Sequence, residues 1–365
     1  MHLHFPSVPN ARRGVLGVAL TALLGMSATL LSTPVSAAED SLPGTAATAV
    51  SGAKITNQRW LTERTLELTV DSPSFTAPVQ VEVMLPNGYA EEPARNWPVT
   101  YYLNGTTHDQ TLFRTAYNGE ALTTSYASLV VSPSGNSGYW SDWYNNAAGG
   151  PPMYETFVTQ QLIPLIDANF RTLKDRAHRA ILGDSMGGYG TLMLAARHPD
   201  LFVAASSLSG AVDTNWLPGA ALHTVSPALD TAIPDSIYGP RATNEVNWRG
   251  HNPVDLAANL RTIDVQLYTG NGIPGASEMS DPLALGGCAL ESGGYPAGNA
   301  EPAQHPRDTR NSAQVRRLRL GLPQRPNVPA GDRREPAPVH GSLRQKHART
   351  DRLRLPLHGT KVQSL

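Results

Sequence analysis

The segment that most restricts how this chain can fold is "RAILGDSMGGYGTLMLAARHP", residues 179–199. A short apolar run ends in Gly183-Asp184-Ser185-Met186-Gly187, and a stretch rich in small residues follows. Glycines on either side of a serine let a strand turn sharply into a helix, with the serine hydroxyl standing clear at the turn. A strand feeding a helix in this way belongs to an α/β architecture. Ser185 is therefore a candidate nucleophile, placed at a helix N-terminus where free N–H groups and the positive dipole end favour a developing oxyanion. The competing reading is a plain glycine-rich turn.

The flanking sequence fits that frame. "TLELTV", "VQVEVMLP", "PVTYYLNG" and "SLVVSP" are β-rich runs closed by Pro, Gly or Asn, and "FVAASSLSG" and "IDVQLYTGNG" repeat the pattern later. Between them "YETFVTQQLIPLIDANF" carries Phe157, Leu162 and Ile166 at helical spacing, with Pro164 predicted to kink it. Strands alternating with helices predict an α/β fold whose central sheet is mostly parallel and covered by helices on both faces.

Arg12 and Arg13, an apolar run from Val15 to Leu31, and the small residues of "TPVSAAED" predict a secretory signal peptide over residues 1–37, cut after Ala37. Sec and twin-arginine export both remain open. Residues 38–57 are small and polar and are expected to be a flexible lead-in. Residues 58–292 are expected to form one domain, and no second run could span a bilayer. With Cys288 the only cysteine, no internal disulfide is available and stability must come from apolar burial. Cys288 itself reads as a small buried side chain.

The formal net charge of -1 hides two unlike parts. Residues 293–365 hold 14 of the 29 Lys and Arg but only 5 of the 30 Asp and Glu, and Tyr295 is their one aromatic residue. This Pro- and Arg-rich tail shows no helical or strand period and is expected to be disordered.

"YYLNG", "VVSPSGNSGYWSDWY", "YETFVTQQLIPLI", "GDSMGGYGTLMLAARHP", "SLSGAVD" and "LYTGNGIPG" stand in the order and spacing of the antigen-85 mycolyltransferases and related esterases. The chain resembles that α/β-hydrolase family over roughly residues 55–292. The resemblance implies acyl transfer between sugar esters, or their hydrolysis, by a Ser, Glu, His triad. It makes Ser185 the nucleophile, gives Thr106 and Met186 as backbone oxyanion donors, and puts Glu291 at the acid position. Glu278 and Asp281 are rivals for that position. Asn104-Gly105-Thr106-Thr107 replaces the family's Asp-Gly-Leu-Arg, so the carboxylate and guanidinium expected to hold sugar are missing. Asn104 and Trp143 are candidate substrate contacts; Trp140 and Tyr144 join them, with core packing as the alternative for the aromatic residues.

The triad histidine should follow the acid. His305, His340, His347 and His358 do, but none lies in a segment able to form a last strand and its loop, while His108, His178, His198, His223 and His251 precede the acid. His198 is expected to cap a helix C-terminus. Read one base out of register from near Ser292, the tail gives a different answer. The junctions from Arg310-Asn311 to Val315-Arg316 permit Gly, Ile or Thr, Pro, His, Lys or Arg, and Phe in turn. Asp-Tyr-Gly-x-Gly is permitted next, and Pro323-Gln324 permits His. The family resembles Leu-Gly-Ile-Pro-His-x-Phe-x-Asp-Tyr-Gly-x-Gly-x-His here, ending in its catalytic histidine. The tail is thus expected to be a frameshift; a basic tail binding anionic cell wall or nucleic acid is the rival.

The expected protein is a secreted or cell-envelope serine acyltransferase or esterase, impaired in this chain, working on acylated sugars or small esters and meeting envelope lipids. No cofactor, metal or nucleic-acid partner is expected, and the protein should be a monomer. A small-ester carboxylesterase of the esterase D type and a non-catalytic wall-associated binding protein are the alternatives.

Overall fold

The computed structural model describes residues 51–144, 152–230 and 233–269. Eight strands form one sheet: β1 (Lys54–Trp60), β2 (Thr65–Asp71), β3 (Val79–Met84), β4 (Val99–Leu103), β5 (Leu129–Pro133), β6 (Arg179–Asp184), β7 (Ala204–Leu208) and β8 (Asp264–Tyr268). Their spatial order is β1-β2-β3-β5-β4-β6-β7-β8. The first three strands are antiparallel to their neighbours, and β5, β4, β6, β7 and β8 run parallel.

Alternation along the strands covers both faces. Tyr101, Leu103, Leu129 and Val131 point into the main core, whereas Tyr102 and Val130 point into a smaller cluster with Met84, Leu112 and Tyr126. The parallel strands are joined by crossovers. The single-turn helices α1 (Leu112–Thr115) and α2 (Gly119–Leu122) link β4 to β5; α3 (Tyr154–Thr156) and α4 (Ile163–Asn169) lead to β6; α5 (Met186–Arg197) leads to β7; α6 (Leu217–Val225) and α7 (Arg241–Gly250) lead to β8. Among the described residues no helix is long and apolar enough to cross a membrane.

Two sequence expectations change. Lys54–Asn57 is not part of a flexible lead-in: it opens β1, which pairs with β2 through Lys54↔Asp71 and Ile55↔Val70. Only Ile55 of that strand is buried, so its sequence lacks the alternation that marks a half-buried strand. The kink expected at Pro164 is instead a π-helical stretch, Phe157–Leu162, in which Ile163 N–H reaches back to Val158 O. A wider turn absorbs the proline, which has no N–H and would crowd the preceding turn of a regular helix.

The acids Glu278, Asp281 and Glu291, Cys288, the signal segment and the tail histidines lie outside the described residues. Within them, β8 pairs only with β7, and its Val265 and Leu267 are half-buried.

Candidate active site

Ser185 sits between the end of β6 and the start of α5, with φ 51° and ψ -116°. A non-glycine residue at such φ is strained, and strain of this kind persists only where the surroundings fix it. Here they do. Ser185 N–H donates to Leu208 O on β7 at 2.7 Å, and Tyr189 N–H donates to Ser185 O at 3.0 Å. A Cβ at Gly187 would overlap the Leu103 carbonyl on β4, and one at Gly183 would lie 2.5 Å from Gly187 O. Both glycines are therefore required by close approach of backbone. The residue is exposed, and among the described residues nothing hydrogen-bonds its Oγ. The first N–H groups of the twelve-residue α5 have no intrahelical acceptor.

The loop after β4 lies directly against this turn. A Cβ on Gly105 would stand 2.7 Å from Asp184 Oδ2 and 3.4 Å from Ser185 Cβ. Asn104 holds the loop from beneath: its Oδ1 accepts from Gly135 N–H at 2.9 Å, and its Nδ2 donates to His108 O at 2.7 Å. Thr106 is half-buried and its carbonyl accepts from His108 Nδ1–H at 2.9 Å, while Thr107 is left-handed at φ 65°. Burial raises the pKa of the Asp184 carboxyl, and the hydrogen bond from Tyr102 and the nearby His108 only partly offset that.

A third loop, residues 134–144, closes the site's floor. Tyr139 and Trp140 both take left-handed φ, and Tyr139 N–H points at Met186 Sδ at 3.3 Å. Trp140 is fully buried against Gly190, where a Cβ would come within 2.5 Å of the indole. Trp143 is buried too, donating through Nε1 to Gly138 O at 2.9 Å; Tyr144 is exposed. The "SDWY" and "YETF" segments serve each other: Asp142 accepts from Thr156 N–H at 3.0 Å and from its hydroxyl at 2.6 Å, and Tyr154 packs on Trp140 and Trp143.

The structure brings Ser185, Met186, Gly105 and Thr106 together, and puts Asn104 and Trp143 beneath the surface with their polar atoms engaged. Apart from His108, which bonds the Thr106 carbonyl in the loop beside the serine, the histidines that precede the acid are occupied elsewhere. His198 Nε2–H donates to Glu155 Oε1 at 2.7 Å, Arg197 Nε–H donates to the same oxygen at 2.7 Å, and His251 Nε2 is 3.6 Å from Oε2. Burial raises the Glu155 carboxyl, but these partners outweigh it and hold the group far below the usual carboxylate range. Sequence reading missed this hub because Glu155 lies more than forty residues from each of its partners. Glu155→Ala leaves Arg197, His198 and His251 without their buried partner and should cost about 3 kcal/mol in urea unfolding; an unchanged midpoint would refute the hub.

His223 is fully buried among Tyr139, Tyr189, Tyr238 and Trp248, and its Nδ1–H donates to Gly219 O at 2.8 Å. Burial pushes its pKa down to about 3. Above its unfolded value near 6.5 both states are neutral. Below that, the unfolded chain gains a proton that the folded chain refuses, so stability falls by about 1.4 kcal/mol per pH unit until about pH 3. His223→Phe should remove that part of the slope in unfolding curves taken between pH 6.5 and 4.

A serine held at a strained turn between a parallel strand and a helix, on a largely parallel sheet, defines the α/β-hydrolase class. The esterase family, described as "Putative esterase", matches residues 72–279, and this chain belongs to it. It is 30% identical over 242 residues to esterase Rv1288 of Mycobacterium tuberculosis (strain ATCC 25618 / H37Rv), covering 60% of this chain and 52% of that protein. It is 33% identical over 194 residues to the diacylglycerol acyltransferase/mycolyltransferase Ag85B of Mycobacterium leprae (strain TN), covering 48% of this chain and 56% of that one. The chain thus spans about half the length of these curated relatives. A crystal structure of Mycobacterium tuberculosis MPT51 (FbpC1) superposes with a TM-score of 0.51 at 24% identity, over 62% of this chain and 80% of that one, a likeness in fold. The family is one of serine esterases and acyltransferases related to the mycolyltransferases.

Proposed function

We propose that this chain derives from a secreted serine acyltransferase or esterase that takes acylated sugars or small esters through an acyl-serine intermediate. The observation that carries the reading is the exposed Ser185 hydroxyl at φ 51°, with the N-terminus of α5 on one side and the Gly105 loop on the other. Ser185 Oγ attacks the ester carbonyl carbon while its proton passes to an imidazole. The N–H groups of Met186 and Thr106 receive the oxyanion. The imidazolium returns its proton to the departing alkoxide, and water or a sugar hydroxyl then releases the acyl group. Glu291, or in its place Glu278 or Asp281, orients the imidazole. Asn104 and Trp143 act from below, holding the two loops that flank the serine.

The imidazole is the part this chain lacks in register. None of the described histidines is bonded to Ser185, and the tail, read one base out of frame, permits the required order of residues. Residues 1–37 act as the export signal, the hydrolase domain runs to residue 292, and the tail is a product of the shift. Hydrolysis of small esters is favoured over sugar transfer by one observation: the Asn104 amide is consumed by Gly135 and His108 and is not free to hold a sugar hydroxyl.

The test is labelling and repair. A fluorophosphonate should label Ser185 slowly in this chain and rapidly once a single base restores the register beyond codon 292. p-Nitrophenyl butyrate turnover should rise in parallel, by about a thousandfold or more. A single open frame in the resequenced gene, with full turnover by the present chain, would refute the proposal.

A further inference from the structure

Helix α6 carries an apolar stripe on its outer face. Its exposed positions, Leu217, Ala221 and Val225, recur every four residues on one face, and Ala228, Leu229 and Ile233 continue the exposed run beyond it. Every one of them is apolar. Leu217 is 80% exposed, Val225 54%, Leu229 60% and Ile233 54%. The fully buried positions are Gly219, His223 and, just past the helix, Ser226, with Ala220 and Leu222 half-buried against the core, so the most deeply buried side chains are an imidazole and a hydroxyl while a second apolar stripe faces out. A surface helix ordinarily does the opposite.

The inner side ties this face to the serine turn. His223 packs on Tyr139 with ring centroids 4.1 Å apart, Ser226 Oγ–H donates to Tyr139 OH at 3.2 Å, and Tyr139 N–H contacts Met186, the residue after Ser185. The α6 face is therefore the outer surface of the wall beside the candidate site.

We propose that the α6 face docks on the surface of a neutral lipid aggregate. Charge narrows the partner: from Ala211 to Pro240 the sequence holds three Asp and no Lys or Arg, and Arg241, which reaches Thr214 O and Asn215 Oδ1 beside the start of α6, is neutralised by its ion pair with Glu245. An anionic bilayer would be repelled by that rim, whereas a zwitterionic or uncharged surface meets no penalty. Size argues against a second copy. Nine helical residues extend about 14 Å, and the exposed aliphatic side chains from Leu217 to Ile233 together present on the order of 500 Å², short of the ~800 Å² per partner of a stable dimer. Immersing a few exposed aliphatic side chains is enough for reversible attachment. Docking rests on α6 alone and not on Ser185 acting as a nucleophile, so Ser185→Ala should bind as the parent does.

The experiment is flotation of the full chain with phosphatidylcholine vesicles. The parent should float, salt should not release it, and doping with phosphatidylglycerol should weaken binding. Leu217→Asp with Val225→Asp should lower vesicle affinity by tenfold or more, with an unchanged unfolding midpoint. Hydrogen exchange supplies a readout independent of any variant: amides of residues 217–229 should gain protection only when vesicles are added. Three results would overturn the inference. They are a parent that stays with the soluble fraction, a concentration-dependent dimer that the double variant dissolves, and full protection of residues 217–229 without lipid, which would mean that the chain covers the face itself.

Discussion

Ser185→Ala, made in the register-restored chain, lowers kcat for p-nitrophenyl butyrate by roughly 10⁵ to 10⁶-fold, the scale of loss known for a dissected serine protease. Nothing in the fold changes with it. The Oγ makes no hydrogen bond among the described residues, and the backbone bonds to Leu208 and from Tyr189 do not involve it. Ser185→Gly separates chemistry from strain. It should be equally inactive yet more stable by about 1 kcal/mol, because glycine adopts φ 51° without the penalty an L side chain incurs. Turnover and urea midpoints measured side by side check both statements. Retained turnover in Ser185→Ala would remove the nucleophile, and a less stable Ser185→Gly would remove the strain.

Gly187→Ala should destabilise the protein by about 3 kcal/mol or more. Helix propensity alone predicts the reverse, a gain of up to about 1 kcal/mol for alanine in a helix. The sign is set by packing: the new methyl would overlap the Leu103 carbonyl, which is rigid backbone of the central strand β4. Either α5 lifts from the sheet or β4 shifts, and both open the gap between Ser185 and the Gly105 loop. Gly188→Ala probes the other wall, where a Cβ would lie 2.8 Å from Leu208 O. A stabilised Gly187→Ala protein would show that the close approach is not real.

The turn around Ser185 was legible because its signals are local: strand, glycine, serine, glycine and helix follow within twenty residues, and each constrains the next. The parallel strands were legible for the same reason, since buried strands are continuous apolar runs. Strand β1 was not, because only Ile55 of it is buried and the rest is polar edge. Asn104 and Trp143 illustrate a different limit. Their residue types suit a binding surface, but whether the amide faces a ligand or Gly135 depends on a loop thirty-one residues away. The Glu155 hub collects Arg197 and His198 from the end of α5 and His251 from the end of α7, which sequence order keeps far apart.

The α/β class, the serine turn and the grouping of positions on each face are written into the residue order, because they follow from backbone sterics and the period of a helix or strand. Which face turns inward is set by the packed neighbours. Spacing in "LPGAALHTV" groups Leu217, Ala221 and Val225, but the aromatic ring around His223 accepts a flat imidazole with its N–H tied to Gly219, and so the aliphatic stripe was left outside. Periodicity names the faces of a helix, and the shape and polarity of the neighbours choose between them.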